Sequence, residues 1–353
     1  MEKAVFHFAF AGDPVSCEPY GHGHINRTFL VETTGGKRYI LQRINQHVFR
    51  DVPAMMDNII AVTTHLATKS DDPRACLRLV PTSDGAYFFR DEEGEYWRAY
   101  DYVENSVCLQ TPRDIADFYE SAVGLGHFQM ALLDFPADRL VETIPRFHDT
   151  PDRYRQFCKV LAADPLRRAN EVTSEIEFVF SRVTDGARLQ QMRDSGELPL
   201  RVTHNDTKLN NIMLDIETGH ALCVIDLDTV MPGLVAYDFG DSIRFGASTG
   251  AEDETDLSKI EMDLSLYETF TQGFLSSCGG LTPEEIRSLP LGAKTMTLEC
   301  GLRFLTDYLD GDHYFSIARP AHNLDRARTQ FKLVADMEEK WDEMIAITEA
   351  FLA

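Results

Sequence analysis

The sequence predicts an α+β fold of two lobes, a small β-rich N-lobe over residues 1–104 and a larger, mainly helical C-lobe over 105–353. Three observations carry this. A length of 353 residues suits two folding units of about 150 residues each. Short extended runs broken by turn residues fill roughly the first hundred positions. Beyond them, apolar residues recur at helical spacing.

In the first lobe, residues 26–31 and 39–44 are extended runs joined by Thr34-Gly35-Gly36-Lys37, which reads as a hairpin. Met55, Met56, Ile59, Thr63 and Leu66 then mark one amphipathic helix. Strands are expected over 77–81, 86–90 and 96–103, with a turn at 91–94. In the second lobe, Thr111-Pro112 with Asp114 reads as a helix start, with the proline as its first residue. Ile115, Phe118, Ala122, Leu125, Phe128 and Leu132 supply that helix with its apolar face. Thr282-Pro283-Glu284-Glu285 opens another helix, and residues 323–351 read as a terminal one. Residues 222–226 form a short apolar strand. No internal repeat or low-complexity tract interrupts the chain.

Charge excludes some functions. Lys and Arg number 34 against 57 Asp and Glu, a net charge of -23, and the basic residues are scattered. A polyanion repels such a surface, so nucleic acid is not an expected partner. No run approaches the roughly 18 apolar residues of a membrane span, and the first ten residues lack the pattern of a signal peptide. Seven widely spaced cysteines without a Cys-x-x-Cys fit reduced thiols in a cytoplasmic protein.

The most specific stretch runs from Arg201 to Met213 and contains His204-x-Asp206-x-x-x-x-Asn211. It is followed by an apolar strand ending in Ile225-Asp226. This is the spacing of a phosphotransferase catalytic loop. An acceptor hydroxyl must be aligned and must lose its proton, which asks for a carboxylate: Asp206. Mg²⁺ takes hard oxygen ligands, and Asn211 and Asp226 offer an amide oxygen and a carboxylate. His204 would brace the loop.

These residues resemble the aminoglycoside phosphotransferase and choline kinase superfamily, which implies a protein-kinase-like bilobal fold. Further strings resemble the bacterial N-acetylhexosamine 1-kinases over nearly the whole chain. They include 21–26, 38–42, 147–151, 201–212, 225–229, 238–242 and 244–248, together with Glu299-Cys300-Gly301 and Arg303-Phe304-Leu305. The resemblance implies transfer of a phosphoryl group from ATP, with Mg²⁺, to the anomeric hydroxyl of GlcNAc or GalNAc. It implies a nucleotide-binding lobe over 1–104 and a catalytic, substrate-binding lobe over 105–353. No membrane or obligate protein partner is implied.

In that frame Gly21 and Gly23 would cover the phosphates. Backbone groups of Tyr102, Val103 and Glu104 would hold adenine at the hinge. His24, His148, Arg303 and Tyr314 are the candidate sugar ligands. Arg303 lies in an apolar helical run and needs a partner, either an internal carboxylate or sugar hydroxyls. Asp238 and Asp241 could fix the catalytic loop, and Asp238-Phe239-Gly240 is not taken for a metal-binding D-F-G. Two departures stand out: where kinases carry a phosphate-gripping lysine on the third strand, this chain has Gln42, and the helix that usually offers its Glu partner holds Asp57 and Asn58. Two alternatives follow. One is a kinase acting on choline, homoserine or an aminoglycoside, and the other is a catalytically silent nucleotide-binding regulator.

Overall fold

The computed structural model describes residues 2–21 and 25–352. Strands β1 (Pro14–Pro19), β2 (Arg27–Thr33) and β3 (Arg38–Arg43) lead to helix α1 (Val52–Leu66), then β4 (Phe89–Arg90) and β5 (Tyr96–Asp101). The five strands form one antiparallel sheet in the order β1-β2-β3-β5-β4. The expected hairpin is β2–β3, closed through Gly36 at a φ of +75°. Strand β1 escaped the sequence reading. Prolines at both ends and a bulge mask it, and an edge strand tolerates both. Residues 77–81 are not a strand: they meet β5 through a single bridge, Leu79 to Tyr100, before Pro81 interrupts. The expected run 86–90 shrinks to β4.

Sheet alternation divides the side chains. Tyr39, Leu41, Trp97 and Ala99 face an outer core covered by Ala4, Val5 and Phe8. Ile40 and Tyr100 face the other way, toward α1. Gln42 and Arg98, paired across β3 and β5, share that inner side by alternation.

The rest of the chain holds β6 (Ser106–Cys108), α2 (Ile115–Ala131), α3 (Thr150–Ala163), α4 (Thr173–Phe180), α5 (Val183–Gly186) and α6 (Arg188–Asp194). Next come β7 (Arg201–Thr203), β8 (Ile212–Asp215), β9 (Ala221–Val224), β10 (Met231–Gly233) and α7 (Val235–Gly246). It ends with α8 (Leu264–Ser277), α9 (Pro283–Asp310), α10 (His322–Glu339) and α11 (Trp341–Glu349). Two small sheets, β6-β8-β9 and β10-β7, frame the loop between β7 and β8. Helix α2 starts three residues later than expected. Asp114 caps it by accepting the N–H groups of Ala116 and Asp117, and Pro112 lies outside. Thr282 and Glu285 do form the expected capping box of α9. The terminal helix is two helices, parted at Lys340.

The core joins the lobes. Ile44, Met55 and Ile59 pack with Phe128, Leu214, Val224 and Leu227. Asn58 on α1 adds polar stitches, donating to the carbonyls of Val141 at 2.8 Å and Val230 at 3.0 Å. Helices α7 and α9 cross at glycines: a Cβ at Gly240 would sit 2.3 Å from the Gly292 carbonyl oxygen. Only glycine permits that approach of the two helices. Among the described residues no helix is long and apolar enough to cross a membrane. All seven cysteines are free thiols.

Candidate active site

Strand β7 ends at Thr203, and the chain turns through Asn205 at a φ of +65°, a left-handed conformation that asparagine tolerates. Asp238 of α7 pins the turn. Its carboxylate accepts the N–H groups of His204 at 2.8 Å and Asn205 at 2.7 Å, and the Gln129 amide at 2.6 Å. Asp238 and Phe239 are interior residues of α7. His204 braces the loop from the other side. Its Nδ1 accepts the N–H of Asp206 at 3.3 Å, so Nε2 is the nitrogen that donates to the Ile225 carbonyl, at 2.8 Å. The loop is thereby tied to the segment that delivers Asp226.

Asp206 stands partly open beside Lys208, with Nζ to Oδ1 at 2.8 Å. Burial pushes its carboxyl up. The Lys208 ammonium, with Arg244 further off, outweighs this and holds it below the usual carboxylate range. Asn211 donates its Nδ2 to the Asp206 carbonyl at 2.8 Å, which leaves its amide oxygen as the free end. The Ile225 N–H bonds the Asn211 carbonyl at 2.9 Å, so Asn211 and Asp226 are held together. Asp226 adopts a φ of +59° and opens to the cleft while protein encloses it on most sides. That enclosure, with the charges of Asp228 and Asp206, raises its carboxyl to about 6. Among the described residues no three His, Cys, Asp or Glu cluster for a metal. One crowded carboxylate and one amide oxygen are nevertheless a donor set that fits Mg²⁺, whose remaining positions go to phosphate and water.

The other expected residues fall into three groups. Gly21 lies two residues past β1 at a φ of +76°, with open space where a Cβ would project; Gly23 and His24 lie outside the described residues. At the expected hinge, the Tyr102 N–H bonds the Arg38 carbonyl, and the Val103 carbonyl accepts the Ser106 hydroxyl. Arg38 also pairs with Glu104 and stacks on Tyr102. Gln42 does not stand free: its Nε2 donates to Thr28 at 3.1 Å and its Oε1 accepts the Arg98 Nε–H at 3.0 Å.

His148 has both ring nitrogens in use, Nδ1 with Glu299 at 2.9 Å and Nε2 with the Asn205 carbonyl at 3.0 Å. It is buried behind the loop and has no nitrogen left for a ligand, which corrects its expected place among the sugar contacts. Arg303 lies one turn beyond Glu299 on α9. No carboxylate of the described residues lies within ion-pair distance of it. The rings of Phe147, Tyr314 and Phe315 surround its guanidinium at 5.4, 5.8 and 5.5 Å. Exposed Tyr314 belongs to a turn in which Asp307 accepts the N–H groups of His313, Tyr314 and Phe315. Two groups of this neighbourhood were missed in the sequence: Glu299, which anchors His148 and Thr150, and Arg98.

The model of the phosphotransferase enzyme family (APH) matches residues 16–269, more than half of the chain. Among solved structures, an aminoglycoside phosphotransferase from Alicyclobacillus acidocaldarius is similar at 16% identity over 99% of this chain and 96% of that one, with a TM-score of 0.64. Choline kinase from Cryptosporidium parvum is similar at 15% identity over 96% and 93%, with a TM-score of 0.59. An amicoumacin kinase in complex with AMP-PNP and Ca²⁺ is similar at 14% identity over 93% and 90%, with a TM-score of 0.58. These likenesses bear out the kinase-like bilobal fold, and the family match extends from β1 through the Asp206 loop into α8. The chain belongs to the phosphotransferase enzyme family.

Proposed function

We propose that this protein is a cytoplasmic small-molecule kinase that transfers the γ-phosphoryl group of ATP to the anomeric hydroxyl of N-acetylhexosamines, GlcNAc and GalNAc. The observation that carries the choice of acceptor is the set of groups around Arg303 on α9. Arg303 makes no ion pair with a carboxylate of the described residues, aromatic rings wall it, and both the Arg153 cation and the Glu299 carboxylate lie near enough to act on it. A choline or an aminoglycoside would meet a like charge at the Arg303 guanidinium. A neutral sugar offers hydroxyls to the guanidinium and an apolar ring face to the aromatics.

In this reading Asp206, held ionised, accepts the proton of the anomeric hydroxyl as its oxygen attacks phosphorus and ADP leaves. That hydroxyl is more acidic than an ordinary alcohol, so the demand on the base is modest. Asn211 and Asp226 would hold Mg²⁺, which when bound neutralises the charge of the phosphates. Residues 1–104 would carry the nucleotide, with Gly21 and Gly23 over its phosphates and the Tyr102–Glu104 backbone at adenine. The neighbour's complex with AMP-PNP supports ATP as the donor. Most of the rate would come from alignment and charge neutralisation.

The test is ³¹P NMR of the product after incubation with ATP, Mg²⁺ and, separately, GlcNAc, GalNAc, choline, homoserine and an aminoglycoside. A sugar 1-phosphate signal is expected, and phosphorylation confined to any other acceptor would overturn the reading. Arg303→Ala gives a finer check. Buried Glu299 loses a nearby charge but keeps its hydrogen bonds with His148 and Thr150, so Tm should fall only slightly. The KM for GlcNAc should rise about 10–100-fold, the worth of a charged hydrogen bond, with the KM for ATP unchanged.

A further inference from the structure

The missing third-strand lysine has a structural counterpart. Gln42 occupies its register position and faces Arg98 directly across the β3–β5 ladder. The Gln42 amide oxygen holds the Arg98 Nε–H at 3.0 Å, and Thr28 holds the other end of the amide. The guanidinium crosses from the N-lobe sheet to pair with Asp228, two residues past Asp226. Asp228 also accepts the Nδ2 of Asn26 at 2.6 Å, one residue before β2. One cation is thus fixed at the junction of the sheet, the start of β2 and the Asp226 segment, where kinases place their lysine.

Two details point to a ligand there. A guanidinium has five N–H donors. Gln42 and Asp228 engage Nε and Nη1, while Nη2 makes no hydrogen bond to the described residues. Tyr100, two residues along β5 and with its ring 5.3 Å from the guanidinium, is buried with a hydroxyl that has no partner. Among the described residues both are unmet donors, near Asp226, the carboxylate assigned above to the metal.

We propose that Arg98 is the cation that grips the nucleotide phosphates in this protein, delivered from β5 instead of β3, with Gln42 and Asp228 as its positioning residues. The fork of Arg suits phosphate oxygens, and two of its edges are already oriented before the nucleotide arrives. Gln42 is then no sign of a silent enzyme: it is the rung that sets the angle of the arginine. This inference rests on ATP as the donor and is independent of which acceptor is used.

The test compares binding of adenosine, MgADP and MgATP by titration calorimetry, so the readout does not depend on turnover. Arg98→Gln should bind adenosine like the wild type and lose about 10–100-fold of the added affinity that the phosphates bring. Truncating Arg98 strands Asp228, so a second variant, Gln42→Lys with Arg98→Met, returns the cation to β3. It should recover at least tenfold of the lost affinity. An unchanged ratio of MgATP to adenosine affinity in Arg98→Gln would overturn the proposal. So would equal losses for both ligands, which would mark a pin between lobes. If Arg98→Gln does not fold, the double variant decides: a folded protein without the phosphate increment overturns the proposal. A wild type that binds MgATP no better than adenosine would instead defeat ATP as the donor.

Discussion

Replacing Asp206 by asparagine is expected to lower kcat about 10²–10⁴-fold, the range for loss of a general base, while the protein folds normally and still binds MgATP. The substitution keeps the backbone contacts that shape the loop. The residue's N–H still meets His204 Nδ1, and its carbonyl still accepts the Asn211 amide. What disappears is the proton acceptor and its charge. A second consequence separates this from general damage. The Asp206 charge is one of the influences that raise the Asp226 carboxyl to about 6. Without it, Asp226 ionises at lower pH, so MgATP binding near pH 6 should be as tight as in the wild type or tighter. Single-turnover kinetics with direct binding checks both halves. Near-normal turnover would remove Asp206 from the base role.

The parts of this protein legible in its sequence are those whose causes are local. The β2–β3 hairpin follows from its turn, the start of α9 from a four-residue box, and the Asp206 loop from residues close along the chain. Arg98 was not legible as a site residue, because its meaning depends on a pairing with Gln42 across 56 positions. A signal existed all the same: a lone cation in the apolar run Trp97-Arg98-Ala99-Tyr100, inside a strand already expected to join that sheet. His148 failed for a similar reason. Its string suggested a ligand, but its two partners lie 151 and 57 positions away, and only the packing of α9 under the loop brings them together. The Pro112 helix start failed because two start signals overlapped, and the carboxylate of Asp114 reached the free N–H groups.

Asp226→Asn should move stability and function in opposite directions. Asparagine is the informative replacement, because the backbone here is left-handed at a φ of +59° and alanine would add strain of its own. In the folded protein the carboxyl is raised to about 6 by enclosure, Asp228 and Asp206, while in the unfolded chain it returns to the ordinary value of 3.8. A raised acid pKa means that ionisation costs the fold free energy. The cost is complete above about pH 6, shrinks as the carboxyl takes up its proton, and is gone below the unfolded value. The neutral variant should therefore melt higher than the wild type at pH 8 and level with it near pH 4. Asp226 is open to water, so the gain is discounted to about 1 kcal/mol, or about 1–2 °C for a chain of this size. Function pays the opposite way. If this carboxylate is the metal ligand, the Mg²⁺ concentration for half-maximal nucleotide binding should rise by at least the roughly 10–100-fold lost when outer partners of a metal are removed. Calorimetric melts at pH 8 and pH 4, with Mg²⁺ titrations of ATP binding, read both effects. A variant that melts lower at pH 8 and keeps the wild-type Mg²⁺ requirement would shift the metal to Asp228 and make Asp226 a support of the loop.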